Sequence, residues 1–465
     1  MTNQDFNIYD IAIVGGGIHG ATIANFASQN NLKVLLIEKN DYASGTSSRS
    51  SKMLHGGLRY LEMLDFQQVF EGIKARDEYF KFCSEIAHPS NFLIPVNKND
   101  YFYFFKLKIG LILYDLFLKN KSLKHKFIPR KKLAFEGFDI TRRDLLGCFE
   151  YYDGAFNDTK LVLENILRAK NQNALCLNYH QLVNFSYDKN LYLLNVTNTI
   201  NQEQKEFKAK ILINTAGCYV PEVERMNNGQ SGFNLKYSRG SHILFNKKWN
   251  APSLFLPLSG KARYYFVWPF MNYTMVGTTE REMSYPIDEP LPTKDEIQEI
   301  YNRLEKDLPN SGLNSESAYY CFAGIRALPA RESNKGISIM SRKHLWSIKE
   351  NIISLYGGKL STASWTAKEC IDLVFKKLNI GITPRIDLSL KDSFKNVFSI
   401  DDQIDLAINK FDAKNLEDLM RRRLFLEYLP DAGFGKIDHI LQKYSFDIKQ
   451  KDEYLKRIKI IQDLL

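Results

Sequence analysis

The chain has 465 residues, of which 44% are hydrophobic and 25% are charged. These proportions are typical of a folded globular protein and exclude a disordered chain, a collagen-like chain and a small disulfide-bonded scaffold. The 63 basic and 53 acidic residues give a net charge of +10, which favours anionic partners such as phosphate esters, anionic lipid or nucleic acid without choosing among them.

The N-terminal residues predict a βαβ unit. Residues 8–14 (IYDIAIV) predict a strand, ATIANFASQ predicts a helix, and KVLLIE predicts a second strand. Gly15, Gly17 and Gly20 occupy the glycine positions of a dinucleotide fingerprint, for a tight turn, close approach of the backbone to a pyrophosphate, and helix–strand packing. Glu38 ends the second strand, where a carboxylate can accept a hydrogen bond from a ribose hydroxyl. The unit predicts a dinucleotide site, and the alternative is a glycine-rich turn that holds no ligand.

A basic and aromatic segment follows at residues 101–132. It holds nine Lys or Arg residues and one Asp, a net charge of +8, and its centre KLKIGLILYDLFLKNK predicts a helix of about 12 residues. Apolar bulk with lysines at its ends is typical of a helix lying on an anionic membrane, and the alternative is a buried helix with basic solvated loops. No helix-turn-helix, RNP or zinc-finger motif accompanies it, so we expect no nucleic-acid partner.

The remaining elements complete a predicted α/β chain of about three domains. Residues 210–215 predict a buried strand that ends at Ala216-Gly217, and residues 261–278 predict antiparallel strands. The segment IISLYGGKLSTAS predicts a strand followed by a Gly-Gly loop. Residues 385–465 have helical spacing. The six scattered cysteines show no metal-ligand spacing, and the N-terminus shows no secretory signal, so we expect reduced thiols in a cytoplasmic protein without a metal site.

Eight segments run in the same order as in a known family: IVGGGIHGA, TSSRSSKMLHGGLRYLE, FEYYDGAFNDTKLVLEN, INTAGCYV, RGSHILF, VGTTE, AGIRAL and YGGKLST. Through them the chain resembles the FAD-dependent glycerol-3-phosphate dehydrogenases, which are membrane-associated flavoenzymes. The resemblance covers about residues 9 to 362. The string SSKMLHGGLRYLE is far more specific than the glycine fingerprint.

The resemblance implies an α/β fold with a glutathione-reductase-like FAD-binding (Rossmann) domain, an antiparallel-sheet substrate domain and a C-terminal helical cap. We expect the FAD-binding domain over residues 1–90, 150–220 and 319–384, the substrate domain over residues 91–149 and 221–318, and the cap over residues 385–465. FAD is expected to bind without a covalent link.

The activity implied by the resemblance is oxidation of sn-glycerol 3-phosphate to dihydroxyacetone phosphate, with hydride transfer to flavin N5 and electrons passed to membrane quinone. Two alternatives stay open. One is an oxidoreductase or oxidase of another phosphorylated polyol or glyceryl conjugate in a biosynthetic pathway, and the other is an inactive flavin-binding scaffold. We expect a peripheral location on the inner face of the cytoplasmic membrane, and a homodimer is left open.

The resemblance also implies site residues. The implied catalytic residues are His242, Arg326, Lys359 and His55. The implied substrate-binding residues are Arg59, Tyr60, Thr278, Arg326, Arg342 and Lys359. The implied cofactor-binding residues are Gly15, Gly17, Ile18, Gly20, Glu38, Lys39, Thr46, Ser47, Ser48, Ser51, Lys52, His55, Gly56, Gly57, Ala216, Gly217, Gly358, Lys359, Leu360 and Ser361. His242 is the first choice for the proton-accepting base, since a neutral imidazole can accept a proton near pH 7.

Three positions depart from the family pattern. Ala327 replaces a proline in AGIRAL, and Ala363 and Ser364 replace an aromatic residue and an arginine after GGKLST. An additional arginine stands at Arg331. Arg326 and Lys359 are retained, so the departures leave flavin-dependent alcohol oxidation in place and leave the identity of the substrate open.

Overall fold

The computed structural model describes residues 8–58, 65–118, 120–133, 144–226, 229–258, 264–330, 343–444 and 446–465. The strands are β1 (Ile8–Val14), β2 (Val34–Ile37), β3 (Met53–Leu54), β4 (Ala87–Asn97), β5 (Lys126–Pro129), β6 (Leu145–Phe156), β7 (Leu175–Leu177), β8 (His180–Asp188), β9 (Leu191–Asn198), β10 (Gln204–Asn214), β11 (Asn234–Phe245), β12 (Ser253–Pro257), β13 (Tyr264–Phe270), β14 (Tyr273–Gly277), β15 (Arg281–Met283), β16 (Ala318–Ala330), β17 (Leu345–Lys349) and β18 (Ile352–Tyr356). The α-helices are α1 (Ile18–Ser28), α2 (Phe66–Phe82), α3 (Tyr101–Leu116), α4 (Asp158–Lys170), α5 (Val220–Arg225), α6 (Lys294–Asp307), α7 (Ala363–Lys377), α8 (Ile400–Asn409), α9 (Phe434–Tyr444) and α10 (Ile448–Gln462).

The first sheet has the order β17-β18-β10-β1-β2-β7, and β9 joins it along β10 with β8 outside. β1 lies parallel to both β10 and β2, as a βαβ unit requires. Successive β1 side chains enter different cores: Ile11 and Ile13 pack with the helices α1, α4 and α7, whereas Ala12 packs with the β8–β9 hairpin. Burial on both faces explains why β1 is an almost continuous apolar run instead of an alternating one.

The second sheet is mostly antiparallel, with the order β15-β11-β14-β13-β12-β4-β6-β3. β16 pairs with β11 from Ala318 to Ala330. The expected FAD-binding segment 319–384 includes most of this strand, whose hydrogen bonds belong to the second sheet, and the domain boundaries stay a prediction. The predicted antiparallel strands between residues 261 and 278 appear as β13 and β14.

The C-terminal residues are helical, as predicted. α8, α9 and α10 surround a π-helical turn at Asp418–Arg423. Their apolar side chains, including Ile404, Ile437 and Ile458, share one core with Tyr320 and Phe322 of β16. These residues, 385–465, are called the C-terminal unit, and their helices pack on the second sheet.

Helix α3 is longer than the predicted 12 residues. It spans 16 residues, begins after the capping side chain of Asp100, and buries only Leu111 and Tyr114. Its outer face carries large exposed apolar side chains at three- and four-residue spacing: Tyr101, Phe102, Phe105, Ile109, Ile112 and Leu116. Within the described part of the chain, no helix combines the length and apolar character needed to cross a membrane.

Candidate functional site

A cavity of about 590 Å³ is lined by residues of both sheets. The first sheet contributes the ends of β1, β2 and β10, and the second contributes Gly240 and His242 of β11 and Gly324 to Leu328 of β16. The carboxyl ends of parallel strands are the usual place for a nucleotide in an open α/β sheet. The two sheets therefore enclose a space with a nucleotide-type wall on one side and polar strand residues on the other.

The glycine turn lies where the sequence predicted it. Gly15 has φ +106°, and a Cβ there would lie 2.5 Å from the carbonyl oxygen of Thr215. Gly20 does not line the cavity; a Cβ on it would lie 1.9 Å from the Gly15 carbonyl oxygen, so its absence lets α1 pack closely. Gly17 and Ile18 line the cavity at the start of α1, whose positive end favours an anion.

Glu38 is held at the cavity wall by backbone donors. Its carboxylate accepts hydrogen bonds from the amides of Gly16 (2.7 Å) and Asn40 (2.9 Å). Burial raises the pKa of Glu38, and these two hydrogen bonds oppose the rise. Next to it, the ammonium of Lys39 pairs with Asp288 at 2.7 Å and lies 4.0 Å from the ring centre of Tyr219. These groups suit the hydroxyl and amine contacts of a nucleoside.

The hydroxyl-rich segment, residues 46–57, places some of its side chains at the cavity and others in the protein interior. Its cavity-lining residues include Thr46, Ser47, Ser51, His55 and Gly57. The hydroxyl of Ser47 accepts a 3.0 Å hydrogen bond from the amide of Ile18, and the hydroxyl of Thr46 donates to the Ile325 carbonyl at 2.7 Å.

Ser48, Lys52 and Gly56 are expected cofactor contacts, but none of the three lines the cavity. The ammonium of Lys52 is buried and donates to Asp158 at 2.6 Å and to the Ser48 carbonyl at 2.5 Å. A Cβ at Gly56 would lie 2.0 Å from the hydroxyl of Tyr114, so this glycine serves close packing. Contact of these three residues with the cofactor stays a prediction.

The loops after β10 and β18 form the next part of the wall. Ala216, Gly217, Gly358, Leu360 and Ser361 line the cavity. Gly358 has φ +100°, a conformation that favours glycine, and a Cβ on it would lie 2.5 Å from Nε2 of His19. Both Gly-containing loops therefore bring backbone close to the cavity.

Arg326, Thr278 and Lys359 place polar groups at the cavity. The guanidinium of Arg326 donates to the Thr278 hydroxyl at 2.9 Å, and the ammonium of Lys359 donates to the side-chain oxygen of Gln68 at 2.6 Å. Both cations lie where a dianionic phosphate or an alkoxide can reach them. Thr279 points elsewhere, since its hydroxyl donates to buried Glu296 at 2.8 Å.

His242 is buried in the wall beside these groups. Its Nε2 lies 3.0 Å from the hydroxyl of Ser51, and its ring stacks on Phe322 with centres 4.8 Å apart. Burial is the main cause that lowers the pKa of His242 to about 3, and the charges of Arg326 and Lys52 add to it. The imidazole is therefore neutral at pH 7, the form that accepts a proton.

His55 lies beside a buried carboxylate. Its Nδ1 is 3.6 Å from Oδ2 of Asp153, and its ring centre is 5.3 Å from that of Phe266. Asp153 also accepts a hydrogen bond from Arg76 at 3.2 Å. Asp153 lies in the segment FEYYDG, whose similarity to the family was the only sequence signal for it.

Several cavity residues had no role in the sequence prediction: His19, Arg49, Asp153, Tyr264, Phe266 and residues 287–290. Among the three departures, Ala327 lines the cavity, whereas Ala363 and Ser364 are buried at the start of α7. Arg59, Tyr60, Arg331 and Arg342 lie outside the described residues.

Comparison with known proteins agrees with this geometry. A sequence model of the family described as FAD dependent oxidoreductase matches residues 10–373. The aerobic glycerol-3-phosphate dehydrogenase of Staphylococcus aureus (strain MRSA252) is 30% identical over 382 residues, which cover 81% of this chain and 69% of that enzyme.

Two solved structures show the same fold. The glycerol-3-phosphate dehydrogenase from Bacillus halodurans complexed with FAD has 19% identity and a TM-score of 0.76, covering 98% of this chain and 95% of that one. The L-α-glycerophosphate oxidase from Mycoplasma pneumoniae with FAD bound has 19% identity and a TM-score of 0.64, covering 82% and 98%. The predicted α/β fold class is confirmed.

Proposed function

This chain belongs to the FAD-dependent oxidoreductases of the glycerol-3-phosphate dehydrogenase type, and we propose that it oxidises sn-glycerol 3-phosphate at C2 to dihydroxyacetone phosphate. One observation supports a phosphorylated alcohol as the substrate. A glycine-turn cofactor wall, two cations and a neutral imidazole share one cavity of about 590 Å³. A phosphorylated alcohol needs all three, since it carries a dianion, loses a hydride and loses a hydroxyl proton.

The residues of the first sheet would hold the cofactor. The amides at the start of α1 and the hydroxyls of Thr46 and Ser51 suit its pyrophosphate and ring, and Glu38 suits a ribose hydroxyl. When bound, FAD supplies the acceptor for the hydride that leaves C2 of the substrate.

The residues of the second sheet and of the loop after β18 would act on the substrate. Arg326 and Lys359 bind the phosphate and the C2 oxygen, because a guanidinium fork and an ammonium both stabilise negative oxygen. His242 accepts the C2 hydroxyl proton as the C2–O bond becomes a carbonyl. Closure of this wall by aromatic side chains such as Tyr264 and Phe266 keeps water from the reacting carbon.

An anaerobic bleaching assay tests the proposal. The purified flavoenzyme should lose the visible absorbance of its oxidised flavin when sn-glycerol 3-phosphate is added. Arg326→Ala and Lys359→Ala should retain flavin and lose at least about 100-fold in reduction rate, the scale expected for removal of one charge-stabilising group. Arg281→Ala, at an arginine outside the cavity, is the matched control.

The same assay separates the alternatives. Bleaching only by a different phosphorylated polyol or a glyceryl conjugate would overturn the substrate, and bleaching by none would favour an inactive flavin-binding scaffold. Peroxide released in air would identify an oxidase and would contradict electron transfer to quinone.

We further propose that α3 docks on the anionic inner face of the cytoplasmic membrane, where a quinone is the electron acceptor. Support comes from the outer face of α3, on which Phe102 is 82% exposed and Leu116 is 69% exposed. Exposed lysines stand on α3 and in the segment that follows it: Lys106, Lys108, Lys121, Lys124, Lys126, Lys131 and Lys132. An apolar stripe bordered by cations matches acyl chains bordered by anionic headgroups, and a lipid-soluble acceptor would then be nearby.

A further inference from the structure

Residues 287–290, between β15 and α6, form a strap that lines the cavity. Asp288 ties the strap to the first sheet: its carboxylate accepts hydrogen bonds from the ammonium of Lys39 and from the hydroxyl of Tyr219, both at 2.7 Å. Lys39 directly follows Glu38, the carboxylate at the ribose position of the fingerprint. The strap therefore lies at the nucleotide end of the cavity.

Glu289, the next strap residue, is held by two buried arginines. Its carboxylate pairs with Arg49 at 2.6 Å and with Arg421 at 3.3 Å. The side chains of both arginines are 1% exposed, whereas that of Glu289 is 52% exposed. Burial opposes ionisation of Glu289, but Arg421 and Arg49 outweigh it and lower its pKa. The strap thus carries a carboxylate at the cavity, and Arg421 of the C-terminal unit forms an ion pair with that carboxylate.

Arg421 lies in the π-helical turn Asp418–Arg423, and the two residues after it in that turn contact a second wall of the cavity. Arg422 donates to Asp41 at 2.6 Å, and Arg423 donates to both oxygens of Asp41 at 2.7 Å. Asp41 is completely buried and lies within the loop of residues 38–45, most of which line the cavity. One helical turn of the C-terminal unit therefore supplies the counter-charges for both walls.

We propose that the turn Asp418–Arg423 is a cofactor clamp, in which Arg421 positions the strap and Arg422 and Arg423 position the loop 38–45, so that the C-terminal unit controls how tightly FAD is retained. The arginine run acts from behind the walls, so these are positioning residues and not contacts of the flavin. The proposal requires FAD in the cavity, as the family implies, but no particular substrate.

Arg421 is the informative position for a test, because its removal leaves each of its carboxylates with another arginine. Glu289 keeps Arg49, Glu417 keeps Arg422 at 3.1 Å, and Glu427 keeps Arg457 at 2.6 Å. An uncompensated buried charge is therefore avoided, and the variant Arg421→Met is expected to fold. Among the described residues, Asp41 forms ion pairs only with Arg422 and Arg423, so removal of either arginine weakens its compensation.

The experiment measures FAD release from the holoenzyme. Purified holoenzyme is strongly diluted, free FAD is separated from the protein by ultrafiltration at timed intervals, and its amount is measured by absorbance. We expect Arg421→Met and Glu289→Gln to release FAD about tenfold faster than the unsubstituted protein, the factor that corresponds to about 1.4 kcal/mol. Lys443→Gln, which breaks an exposed ion pair with Asp401 in the same C-terminal unit, is the control and should release FAD at the original rate.

A second measurement distinguishes clamping from general loss of stability. The thermal unfolding of the apoprotein should shift little in Arg421→Met, whose carboxylate partners each keep another arginine, while the stabilisation that added FAD confers should fall. The double variant should release FAD no faster than about the faster single variant, because both act through one contact. Release rates within twofold of the original in both single variants, or an equal acceleration in Lys443→Gln, would overturn the clamp. If Arg421→Met fails to fold, the half-exposed Glu289→Gln decides the question.

Discussion

His242 shows how neighbouring charges set the state of one side chain. Burial and the cations Arg326 and Lys52 lower its pKa to about 3, which keeps the imidazole neutral at pH 7. The same positive charges also weaken it as a base before substrate binds. In the proposed mechanism, a dianionic substrate bound at Arg326 would offset those charges and strengthen the base only when there is a proton to accept. The proposal therefore links binding and proton transfer through Arg326.

We predict that His242→Asn retains FAD but reduces it with substrate about 10²–10⁴-fold more slowly, the usual contribution of a positioned general base. Anaerobic stopped-flow absorbance checks the rate, and the flavin-to-protein ratio checks retention. His439→Asn, at a histidine on α9 that pairs with Asp401, serves as the control. A rate equal to that of the unsubstituted enzyme would exclude His242 as the base.

The hydroxyl-rich segment marks the limit of residue-level prediction. Thr46, Ser47 and Ser51 line the cavity, but Ser48 and Lys52 do not. The segment has no strand or helix periodicity, so its sequence contains no signal for which side chain faces which way. The orientation of Lys52 depends on Asp158, a partner 106 positions away along the chain.

At the scale of elements, α3 is a helix with apolar side chains on both its inward and its outward face. Tyr114 and Leu111 pack inward on the second-sheet core, while Phe102, Phe105 and Ile109 remain exposed. The sequence predicted a helix here and left open whether its apolar residues are buried. The structure shows an exposed face, and membrane binding through it stays a prediction.

We predict that replacing Phe102, Phe105 and Ile109 together with Gln reduces co-sedimentation with anionic vesicles at least about 100-fold, since each large apolar side chain contributes about 1.5–3 kcal/mol when fully buried in an apolar phase. Phe398→Gln, at an 87%-exposed phenylalanine in the C-terminal unit, is the matched control. Binding by the unsubstituted protein should weaken as salt screens the lysines. Equal sedimentation of the triple variant and the control would remove α3 as the membrane contact.

At the scale of the whole molecule, the C-terminal segment returns to the helices of the first sheet. Ser393 donates from its amide (2.8 Å) and its hydroxyl (2.9 Å) to Glu164 of α4, and the adjacent Asp392 pairs with Lys160 at 2.6 Å. Burial raises the pKa of Glu164 to about 7. The hydrogen bonds from Ser393 oppose this rise, and the burial of Glu164 therefore makes the free energy of unfolding depend on pH.

The sign follows from proton binding. Between pH 4.5 and about 7 the folded state holds a proton on Glu164 that the unfolded state has released, so the free energy of unfolding falls as pH rises through this window. We predict that Glu164→Gln removes this part of the decline, on the order of 2–3 kcal/mol at most at 1.36 kcal/mol per pKa unit. Urea unfolding at pH 5 and pH 8 measures it, with the exposed Glu453→Gln as control. Parallel pH profiles for both variants would contradict the assignment.

The sequence alone determined the elements with local signals. Periodicity predicts β1, α1, β2 and the helical C-terminus. The glycine turn follows from Gly15, which has a positive φ, and from Gly20, where a Cβ would clash with the backbone. The resemblance to the family also implied Arg326 and His242 as catalytic residues, and both line one cavity.

Only the tertiary structure decided the long-range partners. The strap 287–290 carries no motif, and the run Arg421–Arg423 is indistinguishable in sequence from a solvated charge run, yet it is buried against Asp41 and Glu289. Whether a charge is solvated or paired depends on which segments fold against it, and a linear pattern does not contain that information. For the same reason the pairing of β16 with β11 was not predicted, because pairing between strands far apart in the chain is set by packing and not by local preference.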